Sequence, residues 1–200
     1  MEKLNEFIKL IQKRRTIRSF TNESIDRDIL ETIMESGIYA PSARNLQSWH
    51  FSVITNPKVL EEIKKRQIED LNSMVNSKDI AIKTKGETIK KLISKMPSED
   101  LLYNAPCLIV VSAEMNNKFS EFDCGLATEN ILLAAESYKY STCISATSTL
   151  FLASESQKEF KTRLKIPNNF TPITGILLGK TKQDNPIAPD RDDSKVSYIK

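Results

Sequence analysis

Arg14-Arg15-Thr16-Ile17-Arg18 packs three guanidiniums and a hydroxyl into five positions, the densest chemistry in this chain. A guanidinium fork makes bidentate, charge-assisted bonds to phosphate, which a lysine point charge cannot match. Arg14 and Arg18 are four apart, so they share a face if the segment is helical. If the segment is extended, period-two alternation again puts them on one side, with Thr16 between. The cluster has a second reading: positive charge at a helix C-terminus, compensating the macrodipole. From the cluster alone, both readings stand.

Another polar segment runs from Ala40 to Phe51 as Ala-Pro-Ser-Ala-Arg-Asn-Leu-Gln-Ser-Trp-His-Phe. The amides of Asn45 and Gln47 both donate and accept, and Ser42 adds a hydroxyl, so together they can match the edge of a planar ring with alternating acceptors and donors. Ser, Asn and Pro also make ordinary helix-to-strand turns. A turn alone does not account for so long a polar segment leading straight into Trp49 and Phe51. The five glycines, at 37, 86, 125, 175 and 179, write neither a G-x-G-x-x-G nor a P-loop. A bound phosphate would therefore be held by side chains rather than by a cradle of backbone amides.

The elements that must carry these residues follow from apolar spacing. Leu4, Phe7, Ile8 and Ile11 predict a short amphipathic helix ending near the arginines. A second helix spans about 26–39, with Ile29, Leu30, Ile33, Met34 and Ile38 as its stripe, Ser24 or Asp26 as N-cap and Pro41 as its stop. Residues 49–54 read as a strand and about 58–75 as a helix. The lysine-rich stretch 76–100 keeps helical spacing at Ile89, Leu92, Ile93 and Met96, so it reads as a surface helix. Strands are expected at 107–111, 142–147 and 173–178, and helices at 122–138 and 154–164. In the first of these helices, Ile131 to Ala135 is apolar on all sides, which suits a place between layers or at a subunit contact. Helices thus alternate irregularly with about four strands in one α+β domain over 1–200. Its tail, from about 181, is polar and runs over a surface.

Composition removes several classes. With 200 residues, 40% apolar and 28% charged, the chain reads as an ordinary globular domain, and its net charge of +3 gives no argument for nucleic acid. No apolar run approaches the roughly 18 residues of a membrane span, and the acidic start reads as no signal peptide. One histidine and three widely spaced cysteines argue against a metal site and fit reduced thiols in a cytoplasm.

The two polar segments carry a resemblance. Residues 14–20 resemble the R-R-S-x-R-x-F opening of the nitroreductase family of flavin enzymes. Residues 40–51 are similar to that family's A-P-S-x-x-N-x-Q-P-W-x-F, with Ser48 standing where proline is usual. Further along, Asp123-Cys124-Gly125-Leu126-Ala127-Thr128-Glu129-Asn130 resembles its D-x-G-x-A-x-E-N helix, and Asn104-Ala105-Pro106 precedes a buried strand as expected. Cys143-Ile144-Ser145-Ala146 stands at a C-W-I-G-like strand without the tryptophan, and Pro189-Asp190-Arg191 is similar to the closing basic motif.

The resemblance implies a homodimer with two FMN sites at the subunit interface and a mixed, mostly antiparallel sheet among helices. It also implies a C-terminal tail that adds a strand to the partner. Arg14 and Arg191 would grip the flavin phosphate, with Arg15 and Thr16 adding contacts. Arg18 would sit by the pyrimidine edge as the one catalytic residue, and Ser42, Asn45 and Gln47 would line the ring or ribityl chain, with further contacts from Ser145 and Ala146. A fixed cation at that edge favours the reduced cofactor, and guanidinium stays charged at any working pH. The implied reaction takes hydride from NAD(P)H and passes electrons to a small conjugated acceptor such as a nitroaromatic or quinone. Alternatives left open are another reaction on the same fold, dehalogenation or flavin cleavage, and a flavin-binding or redox-sensing protein without turnover. His50 reads as a packing or surface residue, Trp49 as core, Cys107 and Cys124 as core thiols, and the lysines of 78–95 as a solvated face or the rim of an entrance.

Overall fold

The computed structural model describes residues 5–95, 100–152 and 157–199. Leu4, Met96 and Ser154, assigned above to helices, lie outside those residues. Among these residues four strands form one sheet: β1 (Trp49–Ile54), β2 (Cys107–Glu114), β3 (Ser141–Ser145) and β4 (Phe170–Gly179), in the order β1-β2-β4-β3. All three strand pairings are antiparallel. The only parallel contribution among the described residues is an isolated bridge between Thr16 and Thr142. Pro172 is tolerated in a central strand because the β2–β4 register shifts between Val111 and Ser112, and Pro172 sits opposite that irregularity.

Among the described residues six helices surround the sheet: α1 (Glu6–Lys13), α2 (Arg27–Ile38), α3 (Pro57–Val75), α4 (Ile80–Ile93), α5 (Ser120–Ser137) and α6 (Gln157–Arg163). Asp26, not Ser24, caps α2, accepting from the amides of Asp28 and Ile29. Both faces of the sheet are covered. Leu108, Val110, Cys143 and Leu177 face Leu60 and Ile63 of α3 and Phe160 of α6. Ile109, Val111, Ile176 and Leu178 face Ile33 of α2 and Cys124, Ala127, Ile131 and Leu132 of α5. This two-sided burial explains why β2 reads as an unbroken apolar run although its neighbours are antiparallel. Each fully buried Ile or Leu stabilises the fold by about 1.5–3 kcal/mol relative to exposure.

The strands at 107–114 and 170–179 are longer than their apolar runs, because ladder bonds continue where side chains turn polar. In contrast, β3 stops at Ser145, and residues 146–152 wind into a 3-10 turn. The apolar helix α5 lies on the sheet and against α2, with Phe122 and Glu129 turned outward. Helix α1 has no buried residue, and the tail beyond Lys180 is exposed almost throughout.

Candidate functional site

Arg14 ends α1, its amide still bonded to the Leu10 carbonyl. From there the chain is pinned by two buried side chains, Ile17 and Phe20, and by the Ile17 amide donating to the Thr142 carbonyl at 3.0 Å. With those two turned inward, Thr16 and Arg18 remain exposed beside the edge strand β3. Arg14 is half-buried, and its Nε stands 3.9 Å from Glu129 Oε1, too far for a hydrogen bond, so the fork is left to take a further acceptor. Ser145 ends β3 at the same edge and Ala146 opens the turn that follows; Ser145 Oγ is 2.9 Å from Thr147 Oγ1.

Arg15 is engaged by backbone carbonyls. Its Nη1 donates to the carbonyls of Gln12 and Arg14, both at 2.6 Å, and its Nε to Pro186 of the tail at 3.2 Å. Arg15 thereby ties the tail to the end of α1, and Asn185 Nδ2 to the Lys13 carbonyl at 3.5 Å is a second, weaker tie. Arg191 lies on the exposed tail beyond this attachment.

Ser42, Asn45 and Gln47 gather next to β1, the opposite edge of the sheet, with β2 and β4 in between. Ser42 Oγ accepts the Gln47 amide at 3.0 Å, and Gln47 Nε2 donates to Asn45 Oδ1 at 3.3 Å. Arg44, Asn45 and Gln47 all adopt left-handed backbone, at φ 56°, 56° and 51°. Each such non-glycine residue costs about 1–3 kcal/mol, and residues of this kind cluster where a ligand is clamped. Ser48, in the place usual for proline, is buried and its hydroxyl accepts from Asn117 Nδ2 at 2.6 Å. That bond gives the departure a structural use.

Sequence reasoning missed two supports. Tyr103, itself left-handed at φ 51°, hydrogen-bonds the Arg18 guanidinium; burial pushes its phenol above the usual range, while Arg18 pulls it back. The Phe20 amide donates to the Tyr103 carbonyl at 3.1 Å, so the two segments are fastened together. Gln67 of α3 is fully buried and donates to the Thr147 carbonyl at 3.1 Å, holding the turn after β3. Only the chain's folding brings these partners together, and no local pattern announces them. His50 packs edge-on against Phe170 at 6.1 Å, and burial lowers its pKa. Trp49 is core. Among the described residues no cluster of His, Cys, Asp and Glu could hold a metal ion, and no helix is long and apolar enough to cross a membrane.

Over residues 11–180 the chain matches the nitroreductase family, and it belongs to that family. It is similar, at TM-score 0.82 and 29% identity, to the crystal structure of a nitroreductase with bound FMN from Desulfitobacterium hafniense, covering 99% of this chain and 100% of that one. A protein of Archaeoglobus fulgidus, provisionally named NADH dehydrogenase/NAD(P)H nitroreductase, is 28% identical over 191 residues, spanning 90% of this chain and 88% of its own. The CLA biosynthesis enone reductase of Lactiplantibacillus plantarum is 25% identical over 207 residues, spanning 96% of this chain and 92% of its own. The α+β architecture expected from the sequence is the nitroreductase fold.

Proposed function

We propose that this protein is a homodimeric, FMN-dependent oxidoreductase that accepts hydride from NAD(P)H and delivers electrons to a small conjugated acceptor, a nitroaromatic, quinone or enone. The observation that carries the reading is the position of two polar clusters on opposite edges of one sheet. Arg14, Thr16 and Arg18 stand at the β3 edge, and Ser42, Asn45 and Gln47 at the β1 edge. In a two-fold dimer, the β3 edge of each protomer meets the β1 side of its partner, which builds two identical composite sites.

The donor set suits FMN. Arg14 and Thr16, with Arg191 supplied by a tail, would hold the phosphate; Arg18, steadied by Tyr103, would keep a permanent positive charge at the pyrimidine edge. The amides of Asn45 and Gln47 and the hydroxyl of Ser42 would orient the ring, with Ser145 and Ala146 closing the β3 side. FMN, when bound, would supply the two-electron carrier between the nicotinamide and the acceptor. No protein nucleophile is required of this chain. Different acceptors enter the same pocket, which is consistent with both nitro and enone reductases among the relatives.

Unpartnered surface supports the dimer. Phe7 and Ile11 of α1 are exposed, and so are Ile187, Tyr198 and Ile199 of the tail, at 95%, 85% and 92%. Among the described residues β1 pairs on one side only, and grooves of about 390 and 630 Å3 flank its free edge at Val53 and Thr55. A partner's tail laid there would cover both. Three unpaired, buried thiols favour a reducing compartment such as the cytoplasm.

The test is the visible spectrum of the purified protein, with the released chromophore identified, followed by anaerobic bleaching with NADH or NADPH and reoxidation by a nitroaromatic, a quinone and an enone. A colourless protein that ignores added FMN would end this reading. Bleaching with no reoxidation by any acceptor would leave a flavin-binding protein without this turnover.

A further inference from the structure

The loop bearing Ser42, Asn45 and Gln47 holds three non-glycine residues in left-handed backbone, and such a conformation persists only where surroundings over-determine it. Part of that hold is internal: the Ser42 carbonyl accepts the Asn45 amide at 3.0 Å, and Ser42 Oγ accepts the Gln47 amide. The rest comes from α5. Asp123, fully buried in the first turn of that helix, accepts the Ala43 amide with both carboxylate oxygens, Oδ1 at 3.1 Å and Oδ2 at 3.3 Å. At the far end of the loop, Asn117 and Cys124 hold Ser48 through its hydroxyl and its carbonyl. The segment 43–48 is therefore fastened at both ends to the start of α5.

We propose that Asp123 is a positioning residue for the candidate site, its carboxylate clamping the Ala43 amide so that Asn45 and Gln47 stay in the geometry that receives the flavin. The proposal rests on the reading of Ser42, Asn45 and Gln47 as flavin contacts. A carboxylate removed from water must be paired, and a hydrogen bond to an ionised acceptor is stronger than one between neutral groups. The amide ends of the first turn of α5 favour a negative charge there. Ala43 opens a 3-10 turn, where its amide has no partner within the turn, so Asp123 caps that turn from a distant part of the chain. An aliphatic side chain at 123 would leave the amide without an acceptor and the strained loop fastened at one end only.

Asp123→Ala and Asp123→Asn separate the clamp from general stability, because the asparagine carbonyl can still accept the amide. Trypsin reports on the loop through Arg44, and quenching of FMN fluorescence reports on the site. With a charged hydrogen bond at stake, the alanine variant is expected to be cut after Arg44 about tenfold faster and to bind FMN about tenfold more weakly, with asparagine restoring both to within about threefold. Wild-type cleavage and affinity in the alanine variant would overturn the proposal. So would loosened cleavage with unchanged FMN affinity, or an asparagine variant as impaired as alanine. Should alanine prevent folding, hydrogen exchange in the wild-type protein decides: slower exchange of the Ala43 amide than of the Arg44 amide is expected, and equal rates overturn the clamp. If the wild type binds no FMN, the flavin reading fails, while proteolysis and exchange still judge the clamp.

Discussion

At Arg18 a charge and its support meet: the guanidinium is exposed beside β3, and the hydroxyl of buried Tyr103 hydrogen-bonds it. Removing a charged hydrogen-bonding partner costs about 1.5–3 kcal/mol. Arg18→Ala is therefore expected to weaken FMN binding about 10- to 100-fold and to slow reduction by NADH, read by fluorescence quenching and stopped-flow bleaching. Unchanged affinity and unchanged rate would refute its role. Cys107 gives a second residue-scale expectation. Burial in β2 pushes its thiol from 9.0 up to about 12, so at pH 8 a disulfide reagent should label it only after unfolding. The sign for stability follows: the unfolded thiol ionises first, so this contribution is present below about pH 9 and is lost as pH rises toward 12. Cys107→Ala should show a shallower alkaline loss of urea midpoint than the wild type, and an equal loss would contradict the assignment.

Between elements, the crossing of α2 and α5 sets where the loop bearing Ser42, Asn45 and Gln47 begins, because that loop leaves the end of α2 and is fastened to the start of α5. Gly37 permits the approach: a Cβ there would stand 2.7 Å from Ile131 Cγ1, and Ile131 is fully buried. Gly37→Val is expected to cost about 2 kcal/mol by overpacking and to lower FMN affinity by moving the loop. The urea midpoint and fluorescence quenching check both parts; a midpoint equal to or above the wild type's would show that the crossing is looser than described. The helix itself was legible in its apolar stripe, with Asp26 among the expected caps. That Gly37 rather than Ile38 faces the core depended on where α5 lies.

For the whole molecule, the proposed pairing of two polar clusters on opposite sheet edges predicts complementation between protomers. Arg14→Ala and Asn45→Ala should each impair flavin binding alone. Dissociated and reassociated at equal amounts, half the dimers are hybrids, and each hybrid has one site free of both substitutions. About a quarter of the sites should then recover, read as bound FMN per chain. No recovery would show that both clusters serve a site within one protomer.

Much of this protein was written in its local order: helices from apolar spacing, strands from apolar runs, and a nitroreductase likeness from two short polar segments, since backbone propensity and side-chain chemistry act over a few residues. Tertiary packing decided the rest. Strand order sent the arginines and the Asn-Gln loop to different edges, although they are close in sequence. It also brought Tyr103 to Arg18, Gln67 to Thr147 and Asp123 to Ala43 across long stretches of chain. Such pairs form because buried polar groups must find partners, and which partner is near depends on how helices and sheet stack, which no window of neighbouring residues contains.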